Sequence, residues 1–151
     1  MTNEAMHPRL SFINLGVENL ERSLAFYRDG LGLPTQGIVG SEFHDERSGA
    51  SGAIVFFELQ GGIMLGLYER SNLAKDAAIP HDPPSSVEFS LGYAVKTKEE
   101  VDTLLERAKQ AGATMTDSVH ARPWGVYSGY FKDPDGHLWE VTWDPRITVE
   151  D

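Results

Sequence analysis

The pattern of hydrophobic and polar positions predicts the same order of elements twice along the chain. Residues 10–17, LSFINLGV, read as a strand. An amphipathic helix is predicted next, because apolar side chains recur at helical intervals at Leu20, Leu24, Tyr27 and Leu31. Asn19 is a suitable N-terminal cap, and Gly30 and Gly32 are positions where a helix can end in a left-handed conformation.

The second half repeats this order of strand and helix. The segment FSLGYAV, residues 89–95, predicts a strand, and Thr97 with Glu100 forms a capping-box pattern that starts a helix. The apolar face of this second helix is Val101, Leu104, Leu105 and Ala108. Gly112 marks its end.

Three strand-like segments follow each helix, and a glycine-containing turn joins the last two as a hairpin, GG at 61–62 and DPDG at 133–136. Gly62 and Gly136 lie 74 positions apart. The same offset pairs Phe57 with Phe131, Phe56 with Tyr130, Met64 with Leu138 and Gly66 with Glu140. The sequence therefore predicts an α+β fold of two tandem βαβββ modules, with curled mixed sheets around a cleft.

These boundaries predict a single domain over residues 8–146. Module one spans 10–69 and module two spans 88–145. The segment between them, 70–87, contains proline, serine and charged residues in proportions typical of a linker.

Glu140 is a carboxylate in the middle of a hydrophobic strand, which needs an explanation. By strand alternation Leu138, Glu140 and Thr142 share one face, while Trp139, Val141 and Trp143 share the other. The same alternation predicts the cleft lining, which is Phe12, Asn14, Ile54, Phe56, Met64, Ser90, Ser128, Tyr130, Leu138 and Glu140. The opposite faces predict the core against the helices, namely Ile13, Leu15, Val17, Phe57, Leu65, Leu91, Tyr93, Phe131 and Val141. Trp124, in a Pro and Gly setting, is either a flap over the cleft or a packed loop anchor.

Composition removes several function classes. The 151 residues are 40% hydrophobic and carry a net charge of -10, which predicts a folded protein that neither nucleic acid nor an anionic membrane surface attracts. No apolar run reaches the roughly 20 residues of a membrane span, and residues 1–10 lack a secretion signal, so we expect a soluble cytoplasmic protein. There is no cysteine, which leaves His, Asp and Glu as the side chains for any metal site.

Two segments, LGVENLERSLAFYRDGLGL in the first half and YFKDPDGHLWEV in the second, resemble the vicinal oxygen chelate superfamily. This group includes glyoxalase I, bleomycin resistance proteins and extradiol dioxygenases, and the likeness runs from about Leu10 to Pro145. The resemblance implies that βαβββ modules pair, either within one chain or between two chains, and that the protein is a homodimer with two sites. It also implies metal ligands on the first and last strand of each module.

Those four ligand positions fall on Phe12, Gly66, Ser90 and Glu140. Only Glu140 offers the family's carboxylate, whereas an open divalent site needs about three protein ligands. We therefore predict a protein without a metal or other cofactor, with a rebuilt divalent site as the alternative. The histidines that such a site would require are expected at the surface, at His7, His44, His81, His120 and His137.

Three functions remain open at this point, namely ligand binding, catalysis, and a structural or regulatory module whose cleft is closed by its own side chains. The leading hypothesis is a metal-free protein, similar to bleomycin resistance proteins, that binds a small aromatic or cationic molecule with Glu140 as a polar anchor. The alternative is a lyase, isomerase or dioxygenase that uses a rebuilt metal site or Glu140 as general acid or base. A third reading of Glu140 is a family relic that faces solvent.

Overall fold

The computed structural model describes residues 6–87 and 89–150. Module one contains β1 (Phe12–Val17), α1 (Leu20–Leu24, extended by a π-helical turn over Ala25–Gly30), β2 (Ile38–Val39), β3 (Ile54–Glu58) and β4 (Met64–Glu69). The helix α2 (Arg70–Ala77) follows β4 directly. Module two contains β5 (Ser90–Ala94), α3 (Lys98–Gln110), β6 (Thr114–Met115), β7 (His120–Ala121), β8 (Tyr127–Lys132) and β9 (Leu138–Trp143). The predicted βαβββ order is confirmed in both halves, and module two has one additional two-residue strand, β7.

Each module forms its own mixed sheet with the same topology. Sheet one has the order β1-β4-β3-β2, and sheet two has the order β5-β9-β8-β6 with β7 also paired to β8. The first strand is parallel to the last in each sheet, and the hairpins β3–β4 and β8–β9 are antiparallel. Phe56 lies opposite Gly66 and Tyr130 lies opposite Glu140, so the 74-residue offset holds in the strand register as well.

Part of the segment that we predicted as a linker is helical. Residues 70–77 form α2, in which the side chains of Asn72 and Ala74 are buried. The Asn72 side-chain oxygen accepts a hydrogen bond from the Ser51 backbone N–H at 3.1 Å, which attaches this helix to module one. The first proline of the segment is Pro80, after the end of α2. The composition of residues 70–87 taken together therefore gave no indication of a helix in their first half.

Both predicted helix starts are confirmed by their caps. The Asn19 side-chain oxygen accepts from the Arg22 N–H at 3.0 Å, and Thr97 Oγ accepts from the Glu100 N–H at 3.2 Å. The Glu100 carboxylate accepts in turn from the backbone N–H of Lys96 at 2.8 Å.

The two glycines at the end of α1 have different roles. Gly32 has a φ of +83°, as expected for a helix end, but Gly30 is not among the residues with positive φ. A Cβ at Gly30 would lie 2.5 Å from the Cβ of Ala111, which shows that the ends of α1 and α3 come into close contact. Gly30 is therefore explained by packing between the modules and not by its backbone conformation.

The helix-facing sides of both sheets share one hydrophobic core. Its members come from both modules and include Leu15, Val17, Tyr27, Phe57, Leu65, Val101, Phe131 and Val141. Because each sheet turns one face into this common core, the opposite faces of the two sheets point outward. Tyr93, which we predicted to lie in the core, is half exposed at 50%. It lies on the edge strand β5, beyond the strands β8 and β9 that α3 covers.

A buried polar network joins the β8–β9 turn to module one. The Tyr27 hydroxyl donates to Asp133 Oδ2 at 2.6 Å, and the Trp139 ring N–H donates to the Tyr27 oxygen at 3.1 Å. His137 Nδ1 lies 2.7 Å from the same Asp133 oxygen, and its side chain is only 14% exposed. The prediction of a surface position was therefore wrong for His137, because strand alternation did not reveal its buried carboxylate partner.

Asp135, in the same turn, binds the start of α1. Its carboxylate accepts from the Glu18 N–H at 2.9 Å, from Ser23 Oγ at 3.0 Å and from Arg22 Nη2 at 2.9 Å. The DPDG turn of module two therefore packs against the N-terminus of the module-one helix, where a negative charge is favourable.

Within residues 6–87 and 89–150, no helix is long and apolar enough to cross a membrane. The cytoplasmic location stays a prediction.

Candidate binding site

The predicted cleft residues form two separate groups on the outward faces of the two sheets. Sheet one carries Phe12, Asn14, Ile54, Phe56 and Met64, and sheet two carries Ser90, Ser128, Tyr130, Leu138 and Glu140. Since the opposite faces share the core, one chain alone does not bring the two groups into a single cleft.

On sheet one, the position of a family metal ligand is filled by a neighbouring side chain. Gly66 lies opposite Asn14, and a Cβ added there would clash with the Asn14 side-chain oxygen. That oxygen is buried without a hydrogen-bond partner in the described part of the chain. A carboxylate or imidazole at position 66 would first have to displace Asn14.

The residues at the four family positions do not fit a divalent metal. Phe12 and Gly66 offer no side-chain donor, and Ser90 offers a neutral hydroxyl. Glu140 is one carboxylate where about three protein ligands are needed. Among the described residues, no group of three or more His, Asp and Glu side chains is placed to hold an ion. We therefore derive no chemistry from a metal.

On sheet two, Glu140 has an aromatic neighbour. Tyr130 on β8 is directly opposite Glu140 on β9, and both side chains are partly buried. Burial, and secondly the negative charge of Glu140, raises the pKa of the Tyr130 hydroxyl. The phenol therefore stays protonated at neutral pH and can donate a hydrogen bond to Glu140 or to a ligand.

A groove of about 520 Å³ is lined in part by Tyr130, the cross-strand neighbour of Glu140. Its lining combines apolar and hydroxyl side chains with one amine, from Ser86, Val87, Phe89, Ser90, Thr116, Tyr130, Lys132 and Leu138. Ser90, Tyr130 and Leu138 belong to the predicted cleft lining. A groove of this volume can hold a small organic molecule.

Arg122 is a residue of this face that the sequence analysis missed. Its Nε donates to Ser128 Oγ at 3.1 Å and its Nη2 donates to the Ser128 carbonyl at 3.2 Å. The guanidinium carbon lies 6.0 Å from the centre of the Tyr130 ring. Arg122 immediately follows β7, which has only two residues and is too short to show strand alternation. Only its spacing of two residues from His120 could have indicated that Arg122 lies on this face of the sheet.

His120 and Trp124 flank Arg122. His120 pairs with Ser128 across β7 and β8 and is exposed, as predicted. Trp124 lies in the turn between those strands and is 65% exposed, so it is not a packed loop anchor. Its role as a flap stays a prediction.

Comparison with known proteins identifies the relatives of this architecture. A sequence profile of the Glyoxalase/Bleomycin resistance protein/Dioxygenase superfamily matches residues 9–141. A glyoxalase-related enzyme from Fulvimarina pelagi is 28% identical, with 95% of this chain and 94% of that chain covered and a TM-score of 0.76. A lactoylglutathione lyase from Agrobacterium tumefaciens is 25% identical, with coverages of 96% and 100% and a TM-score of 0.63. A fosfomycin resistance protein from Listeria monocytogenes shares the fold at 22% identity, with coverages of 93% and 97% and a TM-score of 0.65.

Proposed function

Because this chain belongs to the Glyoxalase/Bleomycin resistance protein/Dioxygenase superfamily, we propose that it binds a small aromatic or cationic organic molecule on the outward face of sheet two, without a divalent metal. The observation that carries this proposal is a groove of about 520 Å³ lined by Tyr130, whose cross-strand neighbour is the carboxylate Glu140. The carboxylate accepts hydrogen bonds from a cationic or hydroxyl group, while Tyr130 offers an aromatic face.

A thermal-shift screen of small aromatic amines tests this proposal. A true ligand at about 100 times its Kd should raise the melting temperature by about 5 to 10 °C. Glu140→Gln removes the charge at nearly constant volume and should reduce the shift strongly. Glu46→Gln, at an exposed loop position, is the matched control and should respond like the unaltered protein. Equal shifts in Glu140→Gln and the unaltered protein would contradict a role for Glu140.

Catalysis by Glu140 is a second candidate function, and one observation favours it. The protonated Tyr130 hydroxyl next to the carboxylate places a proton donor and a proton acceptor side by side. This alternative requires that Glu140→Gln still binds the ligand but no longer turns it over.

We further propose that two copies of the chain complete each cleft. The outward face of sheet one is apolar, and Phe12 at its edge is 55% exposed. In one chain this face points away from Glu140, so a second copy is required to bring the two predicted groups together.

Sedimentation equilibrium should therefore show a dimer whose association Phe12→Glu weakens, because the substitution places a charge on this apolar face. Ile79→Glu, at an apolar side chain that is 59% exposed outside both sheets, should leave the dimer intact. A monomeric unaltered protein at tens of micromolar would contradict the proposal.

A further inference from the structure

We propose that the molecule bound on sheet two carries an oxyanion group, such as a carboxylate or a phosphonate, and that the guanidinium of Arg122 binds it. This inference rests on the proposed function and adds the class of ligand, which becomes an organic anion or zwitterion. The Arg122 guanidinium is fixed by hydrogen bonds to Ser128, has no carboxylate partner among the described residues and lies next to the Tyr130 ring.

The guanidinium is held in place by Ser128 and by the His120 ring. Ser128 accepts two hydrogen bonds from it, at 3.1 Å from Nε and 3.2 Å from Nη2. His120 Nε2 lies 2.5 Å from Nη1, while His120 Nδ1 lies 3.0 Å from the Ser118 carbonyl. If Nδ1 donates its proton to that carbonyl, Nε2 is the acceptor for Arg122. An arginine fixed in this way loses little conformational entropy when it binds a ligand.

No carboxylate of the described chain neutralises Arg122. Other arginines do have such partners, as in the pairs Arg22–Asp135 at 2.9 Å and Arg146–Asp144 at 2.8 Å. For Arg122, no Asp or Glu among the described residues lies within the 4.0 Å of an ion pair. A guanidinium has five N–H groups. Ser128 accepts from two of them, and His120 Nε2 accepts from a third in the tautomer that carries its proton on Nδ1. One N–H on Nη1 and one on Nη2 remain available, and an oxyanion can accept both.

The neighbouring charges agree with such a ligand. Lys132 lies two residues after Tyr130 on the same face of β8. Tyr130 therefore has a positive side chain before it in the chain, Arg122, and another after it, Lys132. The face is thus locally cationic, although the whole chain has a net charge of -10. Glu140 lies opposite Tyr130 on β9 and forms no ion pair with Arg122 in the described structure. A ligand with an oxyanion and a separate donor group can satisfy both residues.

Isothermal titration with a matched phenylethyl series tests the inference. Phenethylamine carries a positive charge, 3-phenylpropionate and 2-phenylethylphosphonate carry negative charge, and phenylalanine carries both. The anionic and zwitterionic probes should bind more tightly than the amine. Arg122→Gln should weaken them about tenfold or more, which corresponds to the loss of at least one charge-assisted hydrogen bond. Arg47→Gln removes an equal charge at an exposed loop position and should have no such effect.

The variants also separate this inference from the proposed function. If the amine binds as tightly as phenylalanine and Arg122→Gln changes neither, the oxyanion inference is wrong while the binding function stands. If no probe binds the unaltered protein, both are wrong. Arg122→Lys keeps the charge but not the planar fork, and should retain an intermediate affinity. Should Arg122→Gln fail to fold, Arg122→Lys decides the question, because undiminished affinity in that variant would overturn bidentate binding.

Discussion

Asp133→Ala is expected to lower the free energy of unfolding by about 3 to 5 kcal/mol, as when one partner of a buried charged network is removed. The carboxylate is 3% exposed and accepts from the Tyr27 hydroxyl at 2.6 Å. It also accepts from the backbone N–H groups of Asp135 at 2.9 Å and His137 at 2.8 Å. The substitution leaves these donors buried without an acceptor, which adds to the cost.

Urea denaturation monitored by tryptophan fluorescence measures this loss. Asp29→Ala is the control, since that carboxylate is 61% exposed and pairs only with the adjacent Arg28. Its denaturation midpoint should remain close to that of the unaltered protein. Similar midpoints for the Asp133 and Asp29 variants would show that the β8–β9 turn contributes little to holding the modules together.

The same network predicts how stability depends on pH. Burial alone would raise the pKa of Asp133, but hydrogen bonds from His137, Tyr27 and the backbone, together with the His137 charge, outweigh it and lower the pKa. A carboxyl group with a lowered folded-state pKa stabilises the protein above its unfolded pKa of about 3.9, and this contribution is lost as the pH falls below that value. Asp133→Asn should therefore show a shallower loss of stability between about pH 4 and pH 2. An unchanged slope would contradict the lowered pKa.

Phe131→Ala and Phe57→Ala are each expected to cost about 3 to 5 kcal/mol of unfolding free energy. Both side chains are at most 2% exposed and occupy equivalent places in the two hairpins. The Phe131 ring stacks on Trp139 with centroids 6.1 Å apart, and Phe57 lies 6.0 Å from the ring of Tyr27. Truncation therefore leaves a cavity in the core that both modules share.

The matched control is Phe43→Ala, at a phenylalanine that is 66% exposed. It should change the unfolding free energy by no more than about 0.5 kcal/mol. A single cooperative transition in both core variants is also expected, because Tyr27 of module one contacts Trp139 of module two. Two separate transitions would show instead that the modules unfold independently.

Local patterns determined most of the architecture. Strand alternation, two helix caps and two glycine turns lie within a few residues of one another in the chain, so they report directly on local structure. The 74-residue offset paired Phe56 with Tyr130 and Gly66 with Glu140 as equivalent positions. The strand register agrees with this equivalence, because Phe56 lies opposite Gly66 and Tyr130 lies opposite Glu140. The absence of a divalent metal stays a prediction, which rests on the residues at the four positions that the family resemblance implies.

Contacts between distant residues were outside the reach of these patterns. The pattern predicted that His137 is an exposed residue next to the turn, yet its ring lies beside the buried Asp133 carboxylate. That carboxylate also accepts a hydrogen bond from Tyr27, which is more than 100 positions earlier in the chain. Arg122 had no periodic context, and its importance follows from where β7 pairs with β8. Gly66 looked like a simple loss of a ligand, whereas the structure shows the Asn14 side chain in its place.

The sequence by itself determined that each half of the chain is a βαβββ module with one apolar and one mixed sheet face, because alternation along a strand assigns every side chain to a face. Only the tertiary structure decided that the apolar faces merge into one core, so that Phe12 and Glu140 point outward on separate sheets. The physical reason is that burial drives apolar faces together without specifying which module or which copy supplies the partner.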